Sequence, residues 1–316
     1  MFARMGILDG KVAVISGAGH GVGRGHALAM AAEGAKIVVN DLGGSGRGDG
    51  SDKRAADAVV DVITARGGEA VANYDDVGDM AGAGNMIQQA IDSFGGLDIL
   101  VNNAGILRDK MIFSMEESDW DAIMHVHLKG HFAPTHHAAK YWREKFKLNG
   151  DEKPLMASVI NTSSIVGLLG NVGQTNYIAA KGGIAMFTIG LAVDLERYGI
   201  RSNCIAPSGN TRLIALTEAN RRGGEEERVP EPDEYEAEDP RNPGNVAPLA
   251  VWLASDLSAH VNGQVFLSRG FTVTHFHPWT AGGVVTAPND AKWDPAELGR
   301  ALNTQVFKTR HPGVRG

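Results

Sequence analysis

Three residues in the second half of the chain could together move a proton: Ser164, Tyr177 thirteen positions later, and Lys181 four beyond that. A phenol is a poor base near neutral pH, because its ordinary pKa is about 10. A neighbouring ammonium stabilises the phenolate and lowers that value. Tyr177 and Lys181 are spaced i, i+4, so in a helix both side chains leave the same face. Ser164 would hold the oxygen of an alcohol or ketone against Tyr177. Together they form the acid–base half of a hydride transfer between a secondary alcohol and a ketone. Lys181 could also hold the ribose of the hydride carrier.

The other half is a place for a dinucleotide. Ser16-Gly17-Ala18-Gly19-His20-Gly21-Val22-Gly23 follows an apolar run and opens a helical one. Gly17, Gly21 and Gly23, with Val22 between the last two, leave the amides of a helix N-terminus open to a pyrophosphate. The spacing is G-x-x-x-G-x-G rather than the G-x-G-x-x-G fingerprint. Asp41 ends the next apolar run, about twenty residues on, where a carboxylate accepts from ribose hydroxyls and repels a 2′-phosphate. NAD is therefore expected over NADP, with Arg24 and Arg47 as the contrary signal. Asp76-Val77 and Asn103-Ala104-Gly105 end two further runs, on the side of a parallel sheet where ligands sit. Asp75 competes with Asp76 for that position.

The elements that must position these residues are readable from periodicity. Val- and Ile-rich runs at 11–16, 36–40, 70–74, 97–102, 158–162, 201–206 and 264–267 alternate with helical spacing, as at 22–33, 53–66 and 79–94. Nearly continuous hydrophobicity suits strands covered on both faces. The pattern predicts an α/β fold: one doubly wound, Rossmann-type domain over residues 1–270, with about seven parallel strands and helices on both faces. Within it, residues 212–245 or so form an acidic substrate loop, crowded by Glu225, Glu226, Glu227, Glu231, Asp233, Glu234, Glu236, Glu238 and Asp239. It reads equally as a mobile lid and as a solvated loop. Residues 271–316 form a C-terminal extension that would pack on the domain or on a partner subunit. In it, Asp294-Pro295-Ala296-Glu297 has the makings of a helix start.

Bulk properties narrow the classes. A formal net charge of -7 argues against a nucleic-acid partner. The 43% hydrophobic and 21% charged residues are an ordinary globular balance rather than that of a disordered chain. The single cysteine, Cys204, lies in an apolar run, reads as a small buried hydrophobe, and suits a reducing compartment. No run approaches a membrane span and residues 1–10 lack the apolar stretch of a signal peptide, so a cytoplasmic protein with no membrane partner is expected. His275 and His277 flank one residue with no thiol or carboxylate cluster, so no metal is expected.

Gly17-x-x-x-Gly21-x-Gly23, Asn102-Asn103-Ala104-Gly105, Ser164 and Tyr177-x-x-x-Lys181, in this order over about residues 8–270, resemble the short-chain dehydrogenase/reductase family. The resemblance implies a nicotinamide cofactor and homodimers or homotetramers built through the long helices before and after Ser164. It also implies that Pro207 and Thr211 contact the cofactor, Thr211 at the carboxamide, although the family's Pro-Gly reads Pro207-Ser208 here. Where the family places an Asn that holds a relay water, this chain has His127, either a relay residue or a core histidine.

Val39-Asn40-Asp41-Leu42-Gly43-Gly44, Ala72-Asn73-Tyr74-Asp75, Ile106-Leu107-Arg108-Asp109, Val126-His127-Leu128 and Val246-Ala247-Pro248-Leu249 carry a narrower likeness. They resemble the (3R)-hydroxyacyl-CoA dehydrogenase unit of peroxisomal multifunctional enzymes of type 2, also described as a 17β-hydroxysteroid dehydrogenase. That likeness implies an NAD-dependent oxidoreductase acting on a bulky apolar alcohol or ketone, a 3-hydroxyacyl-CoA or a hydroxysteroid. The acidic loop would repel the phosphates of CoA unless Arg212, Arg221 or Arg222 compensates. Two alternatives use the same residues: a reductase of small ketones or quinones, and a catalytically idle dinucleotide-binding scaffold. The complete Ser164–Tyr177–Lys181 set argues against the scaffold.

Overall fold

In the computed structural model, which describes residues 6–306 apart from 151, 224–226, 237, 278 and 289–291, the apolar runs become parallel strands. They are β1 (Val12–Ser16), β2 (Lys36–Asn40), β3 (Ala70–Asn73), β4 (Ile99–Asn102), β5 (Ala157–Thr162), β6 (Ile200–Ser208) and β7 (Val265–Arg269). Between them run helices α1 (Gly21–Ala32), α2 (Arg54–Ala65), α3 (Met80–Phe94), α4 (Glu117–Ile123), α5 (Gly130–Leu148), α6 (Ile165–Leu169), α7 (Thr175–Leu195), α8 (Arg212–Arg222) and α9 (Ala247–Ala254).

Alternate residues of each strand go to opposite faces, which is why the runs look continuously apolar. Ala13, Ile15, Ile37, Val39, Ile99 and Val101 pack with Met30, Val59, Ile63 and Leu253 of α1, α2 and α9. Val12, Val14, Val38, Leu100 and Val159 pack with Met86, Ile87 and Trp142 of α3 and α5. Full burial of each such Val or Ile contributes about 1.5–3 kcal/mol. Trp142 is wholly buried, and its indole N–H is satisfied by the Leu97 carbonyl at 2.8 Å.

The sheet order is β3-β2-β1-β4-β5-β6-β7, with an eighth strand, β8 (Thr272–Phe276), beyond β7. Val14 pairs with Val38 on one side and Leu100 on the other, so the winding reverses between β1 and β4. The chain leaves these two strands toward opposite faces, and the cleft between them opens above their carboxyl ends.

Two features differ from the sequence reading. The eighth strand, β8, returns antiparallel along β7 with Ser268 opposite Val273. Its residues were expected in an extension outside the sheet; nearly all are exposed, so no burial pattern marks them. The second concerns Thr175–Tyr198, which is long and apolar enough to cross a membrane by length and composition, although no such run was anticipated. Here it packs Ile184, Ala185 and Leu195 into the core and leaves Met186 and Val193 exposed.

One compact unit ends at Phe276 and another begins at His277. Inside the latter, α10 (Pro295–Ala301) starts at Asp294, whose Oδ1 accepts from the N–H groups of Ala296 and Glu297 at 2.9 and 3.0 Å. Residues 1–5 and 307–316, on which the targeting expectation partly rests, lie outside the described residues.

Candidate active site

Two cavities open above the carboxyl ends of the strands. One, of about 360 Å³, is lined by Ser164, Tyr177, Lys181 and His127, together with Gly17, Gly21, Val22, Gly23, Asn103, Pro207 and Thr211. The other, of about 450 Å³, is lined by Asp41, Asp75, Asp76 and Val77. Gly17, Ala104 and Gly105 border both. The sequence-predicted residues are thus brought to one cleft, in two groups.

Ser164 precedes α6, and its Oγ accepts from the Val166 N–H at 3.2 Å. Tyr177 sits in the first turn of α7 and hydrogen-bonds Ser164. Burial pushes the Tyr177 phenol up to about 12; the Ser164 bond opposes the rise and the charge of Asp109 adds to it. Lys181, one turn on, is buried and donates to the Thr162 carbonyl at 2.6 Å, with Nζ 5.7 Å from the Tyr177 ring centre. Burial pushes its ammonium down to about 7. In the protein alone, desolvation drives both groups toward their neutral forms.

His127 lies in a π-helical turn (Met124–Lys129) joining α4 to α5. It is wholly buried, and its ring meets Tyr177 edge-on at 5.1 Å. Nε2 is 2.8 Å from the Ile106 carbonyl and 3.1 Å from the Ile106 N–H, so the tautomer decides which bond forms. Burial, and then the charge of Lys181, hold the imidazole well below its usual range. The ring lies edge-on against the phenol, a position compatible with either a relay or a packing role. Its close approach explains Gly105, where a Cβ would fall 2.6 Å from the His127 ring.

The glycine turn is shaped by contact as much as by conformation. Gly17 has φ +62°, and a Cβ there would lie 2.7 Å from the Ala104 Cα; one on Gly23 would lie 2.1 Å from the Gly17 carbonyl oxygen. Asn103 fastens the turn to β4 by donating to the carbonyls of Ser16 and Gly17, both at 3.0 Å. Asp41 is buried and accepts from the N–H groups of Gly19 and Gly43 at 2.8 and 2.7 Å. Its two oxygens have lone pairs to spare for ribose hydroxyls, so turn cap and ribose acceptor are compatible roles. Asp75 accepts from Asn73 at 2.7 Å, while Asp76 accepts from the Gly78 N–H and pairs with His125, both at 2.8 Å. His125 borders the second cavity too, and no motif pointed to it.

Among its described residues, the acidic loop is neither a bare solvated loop nor an acid-walled pocket. Asp233 clasps Arg24 with two bonds, at 2.7 and 2.8 Å. Glu231 accepts from the Gly21 N–H at 2.9 Å and pairs with His20 at 2.6 Å. The loop is a strap over the first turns of α1, and Arg24 is thereby committed away from any cofactor phosphate. Arg47 points to Asn220 at 2.6 Å. Among the described acidic residues from 218 onward, only Glu218 borders the catalytic cavity. Glu225, Glu226 and the side chain of Arg221 lie outside the described residues. Thr211 caps α8, with Oγ1 accepting from the Ile214 N–H at 3.4 Å. That helix brings Leu213, Ile214 and Thr217 to the cavity; opposite motifs gave no hint of them, nor of Gln174.

Comparison with known proteins agrees with this arrangement. The short chain dehydrogenase family model matches residues 11–221. The hydroxyacyl-CoA dehydrogenase ChsB1 of Mycobacterium tuberculosis is 41% identical over 309 residues, covering 96% of this chain and 91% of its own. Mouse peroxisomal multifunctional enzyme type 2 is 42% identical over 258 residues, covering 82% of this chain but 31% of that longer protein. The crystal structure of a short chain dehydrogenase from Mycobacterium avium superposes with a TM-score of 0.81 at 46% identity, over 97% of this chain and 98% of that one. A cradle without side chains before α1, a buried acid after β2 and a Ser–Tyr–Lys set fit a nicotinamide dinucleotide, and with these relatives they make the chain a member of the short-chain dehydrogenase family, an oxidoreductase.

Proposed function

We propose that the protein is an NAD-dependent dehydrogenase that interconverts a secondary alcohol and a ketone on a 3-hydroxyacyl-CoA. The observation that carries this reading is the convergence of Ser164, Tyr177 and Lys181 on one cavity whose other walls include Leu107, Ile165, Val166, Leu213 and Ile214. The name of the ChsB1 relative supports the acyl-CoA. A hydroxysteroid is the second candidate, favoured by the same apolar walls.

When bound, NAD supplies the hydride-accepting ring and its positive charge. Gly17, Gly21, Val22, Gly23, Asn103, Ala104, Gly105, Asp76, Val77, Pro207 and Thr211 would hold it, with Asp41 at the adenosine ribose and Lys181 at the other. Asp41 also disfavours a 2′-phosphate, since one more anion would meet a buried carboxylate. Ser164 orients the substrate oxygen, and Tyr177 takes the hydroxyl proton or returns it. Its phenol keeps the proton in the protein alone, at about 12, so deprotonation awaits added positive charge in the cavity. Lys181 supplies part of that charge when protonated.

The exposed faces of α5 and α7, with Phe132, Met186 and Val193, suit a homodimer or homotetramer. The lone, buried Cys204, whose thiol burial pushes up to about 11, suits the cytoplasm. The deciding assay mixes purified protein with NAD or NADP and a panel of 3-hydroxyacyl-CoA, hydroxysteroid and small alcohols, following reduced-nicotinamide absorbance. Preferred turnover of the acyl-CoA with NAD is expected. Preference for a small alcohol would replace the substrate assignment, and no turnover of any class would favour an idle scaffold.

A further inference from the structure

The catalytic cavity and the Asp41 cavity have four lining residues in common: Gly17, Ala104, Gly105 and Arg212. A dinucleotide with its nicotinamide beside Tyr177 and its adenosine beside Asp41 must cross this neck, and the part of it that crosses is the diphosphate. Three of the four neck residues offer backbone and at most a methyl group. The fourth is a guanidinium, at the first position of α8.

We propose that Arg212 binds the cofactor's diphosphate and thereby seats α8 over the substrate. Arg212 is half-buried, and its Nη1 donates to the Gly44 carbonyl at 3.0 Å. Among the described residues no carboxylate pairs with it, whereas Arg24, Arg54, Arg108 and Arg228 each have an acidic partner. A guanidinium held by a neutral carbonyl keeps its charge available. Exchanging that carbonyl for phosphate oxygens gives charge-assisted, bidentate bonds, which are the stronger kind. Arg212 is followed by Leu213, Ile214 and Thr217 in the wall of the catalytic cavity. A bond from Arg212 to the diphosphate would therefore register the substrate-facing helix on the bound cofactor. The loop that carries Gly44 also carries Gly43, whose N–H is held by Asp41, so both ends of the neck are tied to one short segment.

This role rests on the dinucleotide reading, and the test separates the two. Affinities of wild type, Arg212→Ala and Arg212→Lys are measured for NADH by fluorescence titration, for ADP-ribose by calorimetry, and for adenosine by saturation-transfer NMR. Arg212→Ala should weaken NADH and ADP-ribose by about tenfold or more, the size of a charged hydrogen bond. Arg212→Lys should recover part of the loss, and adenosine binding should stay within about twofold. NADH affinity in Arg212→Ala within about twofold of wild type overturns the role. An equal loss for adenosine, which carries no phosphate, also overturns it, because the residue would then be shaping the loop. Wild-type protein that binds neither NADH nor ADP-ribose overturns the dinucleotide reading itself.

Discussion

Burial drives Tyr177 and Lys181 in opposite directions, the phenol up to about 12 and the ammonium down to about 7. Replacing the phenol by Phe removes the proton acceptor while leaving the ring that His127 packs against. Tyr177→Phe should therefore lower kcat by roughly 10²–10⁴-fold with cofactor affinity nearly unchanged; turnover within about tenfold of wild type would remove Tyr177 from its role. The lysine makes a stability prediction. Its folded pKa, about 7, lies below its ordinary 10.5, so between these values the unfolded chain binds the extra proton and stability rises with pH. Below pH 7 the penalty is fully present. Lys181→Met should melt higher than wild type near pH 7, with the gap narrowing toward pH 10.5; pH-independent melting differences would contradict it. At the second cavity, Asp41→Asn keeps an acceptor for the Gly19 or Gly43 amide but removes the charge. The NAD-over-NADP ratio should fall by about tenfold, read from the two kcat/KM values, and an unchanged ratio would mean that Asp41 serves only as a turn cap.

At the scale of elements, α1 is held at its start from two directions. Asn103 ties the glycine turn to β4, and the strap carrying Glu231 and Asp233 clamps His20, Gly21 and Arg24 from outside. The Arg24–Asp233 pair is bidentate and its arginine is buried, so breaking it leaves a charge without its partner. Asp233→Ala should cost about 3–5 kcal/mol if the pair behaves as a fully buried one, and less to the extent that water reaches it. Denaturant unfolding would measure the loss, and a change within about 0.5 kcal/mol would show that the strap contributes nothing to the turn. The glycine turn, the i, i+4 pair on α7 and the strand ends were legible because local backbone needs write themselves into residue type. The strap was legible only as an acidic stretch. Its partners lie about 210 residues away along the chain, and no local pattern encodes which cation an acid will meet.

For the whole molecule, continuous apolar strands announced a sheet covered on both faces, and the helices arrived where their spacing placed them. β8 escaped notice because an edge strand with exposed side chains carries no burial signal. The long helices α5 and α7 leave Phe132, Met186 and Val193 exposed, a face of the kind that the proposed homo-oligomer would cover. Paired Met186→Glu and Val193→Glu substitutions should convert the assembly to smaller species in light scattering, with the far-ultraviolet dichroism retained. An unchanged molar mass would place the interface elsewhere.

The amino-acid sequence by itself determined the doubly wound architecture, the candidate triplet and the family. Each of these depends on residue type at short spacing: Tyr177 and Lys181 one turn apart, glycines where a Cβ would strike neighbouring backbone, Val and Ile alternating between two faces. Only the tertiary structure decided what the charges do. Desolvation, which no spacing reveals, pushes the Tyr177 phenol up and the Lys181 ammonium down. Long-range pairing committed Arg24 to Asp233 and left Arg212 at the neck between the two cavities. Electrostatic roles depend on distance and burial in space, and those exist only once the chain has folded.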